Sequence, residues 1–122
     1  MVEHLPGKRV LVVEDNPVLA FDIDDVLREF GVEVVGPALD LETGLQLARE
    51  HPLDGAVLDI DLGGHYVWPL AAALKGSSIP FVFVSAECGR NMPGDFEDSI
   101  CLPKPANGET IATTVAQVIG AR

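Results

Sequence analysis

The sequence predicts an α/β fold in which helices cover both faces of a doubly wound, five-stranded parallel sheet. Five short apolar runs rich in β-branched residues recur along the 122 residues, and helical patterns separate them. The runs are almost continuously apolar rather than alternating, which is typical of strands buried on both faces. The predicted strands span residues 9–13, 32–35, 56–60, 79–85 and 100–102. A chain of this length fits one domain, so we expect residues 1–122 to form a single domain.

Clear end signals bound the predicted helices. Asn16 and Pro17 provide an N-cap and a first helical residue, and Gly31 provides a stop after the apolar stripe of the first helix. Asp40 and Asn107 are placed to cap the second and the last helix. These signals fix the helices between the strands and support the alternating pattern.

The stretch between residues 87 and 99 departs from this regularity. A fourth helix is expected there if the alternation continues, but polar residues dominate and three helix breakers interrupt the stretch. The breakers are Gly89, Pro93 and Gly94. Because glycine and proline weaken a helix interior, we expect an irregular or shortened fourth helix with few apolar anchors.

Charge and composition exclude several function classes. The net charge of -11 argues against direct binding to nucleic acid or to an anionic membrane surface. No apolar run is long enough to span a bilayer and the N-terminus does not resemble a signal peptide, so we expect a cytoplasmic protein without membrane attachment. Cys88 and Cys101 have no C-x-x-C spacing, and we expect both thiols to be reduced and to bind no metal.

The strand order and the place of the functional site follow from fold precedent. Flavodoxin-like folds with five parallel strands have the order 2-1-3-4-5, which we expect here with right-handed crossovers. In such sheets ligands bind beyond the carboxyl ends of the strands, at the switch point between the first and the third. The polar residues that follow the strand ends are Glu14, Asp15, Asp59, Asp61, Ser85 and Lys104.

These residue types form a complete set for phosphoryl transfer to an aspartate. Crowded carboxylates repel one another, and a hard divalent cation such as Mg²⁺ relieves that repulsion while also binding phosphate oxygens. A carboxylate can attack phosphorus to form an acyl phosphate. The metal, a lysine and a hydroxyl then neutralise charge on the oxygens of the transferred group.

Four motifs resemble the signatures of response-regulator receiver domains, in the order and at the spacing of that family. They are V-V-E-D-N at residues 12–16, V-L-D-I-D at 57–61, V-S-A at 84–86 and K-P at 104–105. Each motif is weak alone, but the ordered set covers nearly the whole chain.

The resemblance implies a role for each polar residue at the sheet edge. Asp59 would accept the phosphoryl group, and Ser85 and Lys104 would contact it. The implied Mg²⁺ ligands are Glu14, Asp15, Asp59 and the backbone carbonyl of Asp61. Receivers of this kind often have a cis bond after the lysine, so we predict a cis Lys104–Pro105 bond.

Two departures from the family pattern bear on how the signal leaves the domain. Receivers commonly carry Tyr or Phe three residues before the lysine, an aromatic that reorients with phosphorylation, and this switch position is Cys101 here. Residues 80–86, P-F-V-F-V-S-A, resemble a subgroup of bacterial single-domain receivers with a Phe-x-Phe-Ala-Thr-Gly strand and a mobile segment after it. Valine, serine and alanine replace the last three residues of that motif.

The resemblance implies a signalling switch of a two-component system or phosphorelay. The donor would be a histidine kinase or a histidine phosphotransfer protein, and phosphorylation would change the conformation so that a downstream protein, which the sequence does not identify, binds or dissociates. No catalysis is expected beyond self-catalysed phosphoryl transfer and autodephosphorylation.

Two alternatives stay open at this point. The D-I-D at residues 59–61 resembles the D-x-D of haloacid-dehalogenase-type phosphatases, but it follows the third predicted strand instead of the first, and the chain has no room for a substrate cap. The other alternative is a receiver-like interaction module that never turns over phosphate. Turnover of a generic phosphatase substrate would favour the former, and failure to accept phosphate would favour the latter.

Overall fold

The computed structural model describes residues 2–90 and 92–121, and within them it contains five strands, four α-helices and two 3-10 turns. The strands are β1 (Arg9–Val13), β2 (Glu33–Ala38), β3 (Gly55–Leu58), β4 (Phe81–Ser85) and β5 (Cys101–Pro103). The α-helices are α1 (Pro17–Glu29), α2 (Leu41–Glu50), α3 (Trp68–Gly76) and α4 (Gly108–Gly120). The 3-10 turns are Val2–His4 and Gly94–Phe96.

All strand pairings are parallel and the sheet order is β2-β1-β3-β4-β5, so the predicted flavodoxin-like fold is confirmed. Only β1 has the predicted bounds, and the other four strands differ from the prediction by one to three residues at one or both ends. β2 continues through Gly36 and Pro37, where we expected it to end, and the peptide bond between them is cis. β3 ends at Leu58, which makes Asp59 the first residue beyond the strand.

The helix end signals act as the sequence predicts. The side chain of Asn16 accepts hydrogen bonds from the backbone N–H groups of Val18 and Leu19, and Pro17 is the first residue of α1. Gly31 follows the end of α1 with a φ of 85°, a left-handed conformation that glycine adopts without steric cost. Because Asn16 caps α1, only this one residue separates the helix from Glu14 and Asp15, the acids that follow β1.

Two hydrophobic cores cover the two faces of the sheet. Alternate residues of the central strands point to opposite faces, so Val10 and Val12 of β1 lie in one core and Leu11 and Val13 lie in the other. The first core packs against α1 and α4, and the second packs against α2 and α3. Burial on both faces explains why the strands are almost continuously apolar. Across residues 2–90 and 92–121, no helix has the length and apolar content needed to cross a membrane.

The expectation of an irregular fourth helix is confirmed, because Gly94–Phe96 is the only helical element among the described residues between 87 and 99 and is a single 3-10 turn. We expected few apolar anchors in this stretch, but one of them, Phe96, is well packed. Phe96 is 4% exposed, its ring stacks on Trp68 at a centroid distance of 5.5 Å, and it meets Phe83 edge-on at 6.3 Å. Lys75 Nζ also donates a hydrogen bond to the carbonyl oxygen of Asp95 at 2.6 Å.

The expectation that both cysteines are reduced is wrong, since Cys88 and Cys101 form a disulfide with a Cα–Cα distance of 5.7 Å. That distance lies within the usual range for disulfides. The expectation rested on the compartment and on motif spacing, neither of which describes the local geometry. Cys101 is the first residue of β5, which pairs with β4. The turn after Ser85, at the end of β4, brings Cys88 next to Cys101 at the start of β5.

Candidate functional site

The acids identified in the sequence meet at the carboxyl ends of the two central strands. Glu14 and Asp15 directly follow β1, and Asp59 directly follows β3. The strand ends are adjacent because Val13 pairs with Leu58, and the N–H of Asp59 donates to the carbonyl oxygen of Val13 at 2.9 Å. The switch point of the sheet therefore places these three side chains together, as the fold precedent predicts.

The carboxylates form a cluster suited to a hard cation. Glu14, Asp15 and Asp59 each offer one oxygen, and these oxygens lie within 4.8 Å of one another. Glu14 and Asp59 are buried, with 1% and 5% exposure, whereas Asp15 is exposed to solvent. An all-oxygen donor set with one open side is the chemistry that Mg²⁺ prefers, because Mg²⁺ keeps water ligands.

Lys104 joins the two buried acids. Its Nζ lies 2.7 Å from Glu14 Oε1 and donates a hydrogen bond to Asp59 Oδ2 at 2.9 Å. The Lys104–Pro105 peptide bond is cis, which confirms the prediction. The backbone N–H of Lys104 donates to the carbonyl oxygen of Ser85 at 3.1 Å, so the β4–β5 pairing continues to the lysine. The single cation thus partly balances two buried negative charges.

The buried environment shifts the proton affinities of this pair. Burial raises the pKa of Glu14 to about 7 although hydrogen bonds from Lys104 and from the Asn16 amide act in the opposite direction; the nearby charge of Asp59 raises it further. Burial acts to lower the pKa of Lys104, but its hydrogen bonds to Asp59 and Glu14 outweigh that effect and leave the pKa raised. Lys104 therefore remains charged at the site.

Both oxygens of Asp59 are held in place. Oδ1 accepts a hydrogen bond from the N–H of Ile60 at 2.7 Å, and Oδ2 accepts the one from Lys104 at 2.9 Å. Glu14 Oε2 accepts from the N–H of Asn16 at 3.0 Å. These contacts fix the orientation of both buried carboxylates, which is a requirement for attack by an oxygen at a defined position.

Asp61 and Ser85 have different surroundings from the buried acids. The side chain of Asp61 accepts a hydrogen bond from the N–H of Gly64 at 2.8 Å, so it closes the loop after β3. Ser85 is fully buried, and its hydroxyl oxygen accepts from the N–H of Glu87 at 3.1 Å. Ser85 lies at the end of β4, the strand next to β3, while its hydroxyl is engaged with the loop that follows.

The switch position Cys101 is occupied by the disulfide to Cys88 and not by a thiol. Sequence reasoning missed this bond, and it also missed an apolar surface beside the acids. Val18 and Phe21 of α1 are 70% and 51% exposed. Both are apolar residues that lie off the face of α1 formed by Ile23 and Leu27, which packs into the core. An apolar residue off the buried face is a signal in the sequence that could have identified them.

A cavity of about 380 Å³ lies between α1 and α4, next to Glu14 and Lys104. Its walls are mostly apolar and include Leu19, Ile23 and Ile111. The acidic site is therefore bordered by apolar surface on the side of α1.

The chain is similar to known regulatory proteins. No protein-family model matches the chain. The chain is 25% identical over 114 residues to the phyllosphere-induced regulator PhyR of Methylorubrum extorquens, an alignment that covers 90% of this chain and 43% of that protein. It spans less than half of the length of the curated relatives that it matches.

Solved structures match over almost the whole chain. SdrG from Sphingomonas melonis Fr1 is 30% identical with a TM-score of 0.76, and the match covers 94% of this chain and 98% of that one. The receiver domain of the hybrid histidine kinase CckA is 28% identical with a TM-score of 0.75, covering 91% of this chain and 98% of that one.

Proposed function

This chain belongs to the response-regulator receiver domains, and from that premise we propose that it is a phosphoacceptor switch in which Asp59 takes a phosphoryl group from a phosphohistidine. The observation that carries the proposal is the contact between Asp59 and Lys104 inside the acidic cluster, with Nζ 2.9 Å from Oδ2. The proposal takes residues 1–122 as one receiver domain, either alone or within a longer regulator. The donor would be a histidine kinase or a histidine phosphotransfer protein.

Mg²⁺ would be held by the carboxylates of Glu14, Asp15 and Asp59 and by the backbone carbonyl of Asp61. When bound, it supplies positive charge for the oxygens of the phosphoryl group. A carboxylate oxygen of Asp59 attacks phosphorus, the bond between phosphorus and the donor imidazole nitrogen breaks, and the imidazole leaves with the electron pair. The product is an acyl phosphate on Asp59.

Lys104 and Ser85 would act on the transferred group. Lys104 already bonds to an oxygen of Asp59, so a short movement of its Nζ brings the ammonium to a phosphoryl oxygen. That movement weakens the contact between Lys104 and Glu14, and the bound Mg²⁺ would then balance the negative charge of Glu14. Ser85 would donate its O–H to a phosphoryl oxygen while its oxygen accepts from the N–H of Glu87, which links the phosphoryl group to the loop after β4.

The surface beside the site suits a protein donor. Val18 and Phe21 lie on the part of α1 that directly follows the acids, and both are exposed. An apolar contact there would hold a donor protein so that its phosphohistidine faces Asp59. The net charge of -11 argues against a nucleic acid or a membrane as the partner.

Phosphorylation by a small donor tests the assignment directly. Incubation with acetyl phosphate and Mg²⁺ should add one phosphoryl group, measured by intact-protein mass spectrometry. Asp59→Asn should remove the labelling, because the amide is a poor nucleophile, and a chelator should slow labelling of the unaltered chain. Asp25→Asn changes an exposed acid on α1 and is the matched control. Undiminished labelling of Asp59→Asn would overturn the assignment.

A further inference from the structure

In the sequence, the two disulfide-bonded cysteines lie between Ser85 and Lys104, the two residues that we propose contact the phosphoryl group. Cys88 comes three residues after Ser85, and Cys101 comes three residues before Lys104. The sulfur of Cys88 lies 3.5 Å from the carbonyl oxygen of Ser85, and the same oxygen accepts the backbone hydrogen bond of Lys104 at 3.1 Å. The disulfide thus links the turn after β4 covalently to β5, the strand that Lys104 follows.

The disulfide is not the only link between these two strands. β4 and β5 also pair through the backbone at Phe83–Cys101, Val84–Leu102 and Ser85–Pro103. The segment between the cysteines has a separate anchor in Phe96, which is buried among aromatic rings. Cleavage of the disulfide therefore releases the turn at residues 86–90 and leaves the sheet and the Phe96 anchor in place.

Both cysteines are half-buried, so the bond lies near the surface of the domain and not in its core. The turn that Cys88 closes also holds Ser85, whose hydroxyl accepts a hydrogen bond from the N–H of Glu87 at 3.1 Å. As long as Cys88 is tied to β5, the amide of Glu87 stays beside that hydroxyl. The O–H of Ser85 stays free to donate to a phosphoryl oxygen, but the position of its oxygen is tied to the Glu87 amide, so this oxygen approaches a phosphoryl group on Asp59 only as far as the turn moves with it.

We propose that Cys88 and Cys101 are a reversible thiol–disulfide exchange site, whose oxidised form holds Ser85 in its hydrogen bond to Glu87 and slows phosphorylation of Asp59. The inference rests on the proposed function for its effect on phosphate acceptance. The oxidant is a small disulfide and the reductant is a dithiol. In oxidation, one cysteine thiolate attacks the small disulfide and expels a thiol, and the second cysteine then attacks the mixed disulfide and expels another. Two electrons pass to the small disulfide, and one intramolecular S–S bond forms.

The test compares the two redox forms of the full chain. Oxidised glutathione prepares one form and dithiothreitol the other, and alkylation followed by mass spectrometry should count no free thiol in the first and two in the second. Labelling by acetyl phosphate with Mg²⁺ should be slower in the oxidised form by at least about fivefold, the lower end of typical coupling between two sites. Amide hydrogen exchange at residues 86–90 should rise on reduction, while exchange in β1 stays unchanged.

The double variant Cys88→Ser/Cys101→Ser is the matched control. It should label at the rate of the reduced form and should not respond to the redox buffer. Equal labelling rates in the two redox forms, or thiols that stay free in oxidised glutathione, would overturn the proposal. Loss of the far-ultraviolet circular dichroism signal on reduction would overturn it as well, because the bond would then be a structural requirement. If neither form labels, the proposed function fails and the coupling fails with it, while thiol counting and exchange still report whether the bond is reversible.

Discussion

The acidic edge of the sheet and the segment after β4 are held in different ways. At the acidic edge, the ends of β1 and β3 pair with each other, and both carboxylate oxygens of Asp59 have hydrogen-bond donors within 3 Å. In the segment at residues 86–100, the described part has one 3-10 turn and depends on a few side-chain contacts. The acids thus lie on backbone that the sheet fixes, whereas the segment after β4 lies where single contacts can be gained or lost.

The two regions should therefore respond differently to single substitutions. A change at the acidic edge alters the balance of buried charges and affects the whole domain. A change after β4 removes one contact and opens a local segment before the sheet unfolds.

Lys104→Met should give the largest loss of stability. The substitution removes the cation from two buried carboxylates, and breaking a buried ion pair from one side costs about 3 to 5 kcal/mol. We expect a fall of about 4 kcal/mol in the free energy of unfolding, measured by urea denaturation at about pH 8 with a chelator present. Added Mg²⁺ should restore part of it. A loss below about 1 kcal/mol would mean that the acids at this edge are not electrostatically dependent on the lysine.

Phe96→Ala should be the most damaging change in the segment after β4. The ring is 4% exposed and contacts Trp68, Phe83 and Phe81. Truncation of a buried phenylalanine costs about 3 to 4 kcal/mol, and we expect faster amide exchange around Gly94–Phe96. Ile100→Ala is the control, because Ile100 is 41% exposed and should cost less than about 1 kcal/mol. Equal effects of the two variants would remove the basis for calling Phe96 an anchor.

Glu14 should give the metal-free domain a stability that falls with rising pH. Burial raises its pKa from 4.5 to about 7, so the folded chain binds this proton more tightly than the unfolded chain does. The stabilisation is fully present below about pH 4.5 and is lost as the pH rises to about 7. At about 1.4 kcal/mol per pKa unit, the loss is up to about 3.5 kcal/mol.

Urea unfolding of the unaltered chain and of Glu14→Gln at several pH values, with a chelator present, isolates this contribution. The amide cannot ionise, so the variant should lack this part of the pH dependence and should be the more stable of the two near pH 8. Parallel curves for the two proteins would contradict the prediction.

The acidic edge could be predicted from the sequence because its residues lie next to elements with strong local signals. Glu14 and Asp15 stand between an apolar strand and a helix that starts with an Asn-Pro cap, and Asp59 follows another apolar strand. Parallel strands bring such ends together whatever the loops do. The strand order itself needed precedent, since periodicity does not distinguish neighbours in a sheet.

The features that sequence reasoning missed depend on contacts between distant residues. The disulfide joins positions 13 residues apart through a turn whose path no local pattern specifies. Phe96 is anchored by Trp68, which lies in a different part of the chain. The engagement of Ser85 with the amide of Glu87 is a matter of side-chain rotation, which the residue type at a strand end does not determine.

Lys75→Met should have the smallest effect, and it tests which contact holds the segment after β4. Lys75 is exposed; its Nζ donates to the carbonyl oxygen of Asp95 at 2.6 Å and lies 5.5 Å from the ring centre of Phe96. Exposed contacts of this kind contribute about 0.5 to 1 kcal/mol, and methionine keeps an apolar chain beside the ring. We expect a loss of that size by urea denaturation and nearly unchanged amide exchange at Phe96. A loss above about 2 kcal/mol, or exchange as fast as in Phe96→Ala, would mean that the charge of Lys75 holds the segment rather than aromatic packing. The segment would then be held electrostatically like the acidic edge, and the contrast between the two regions would no longer stand.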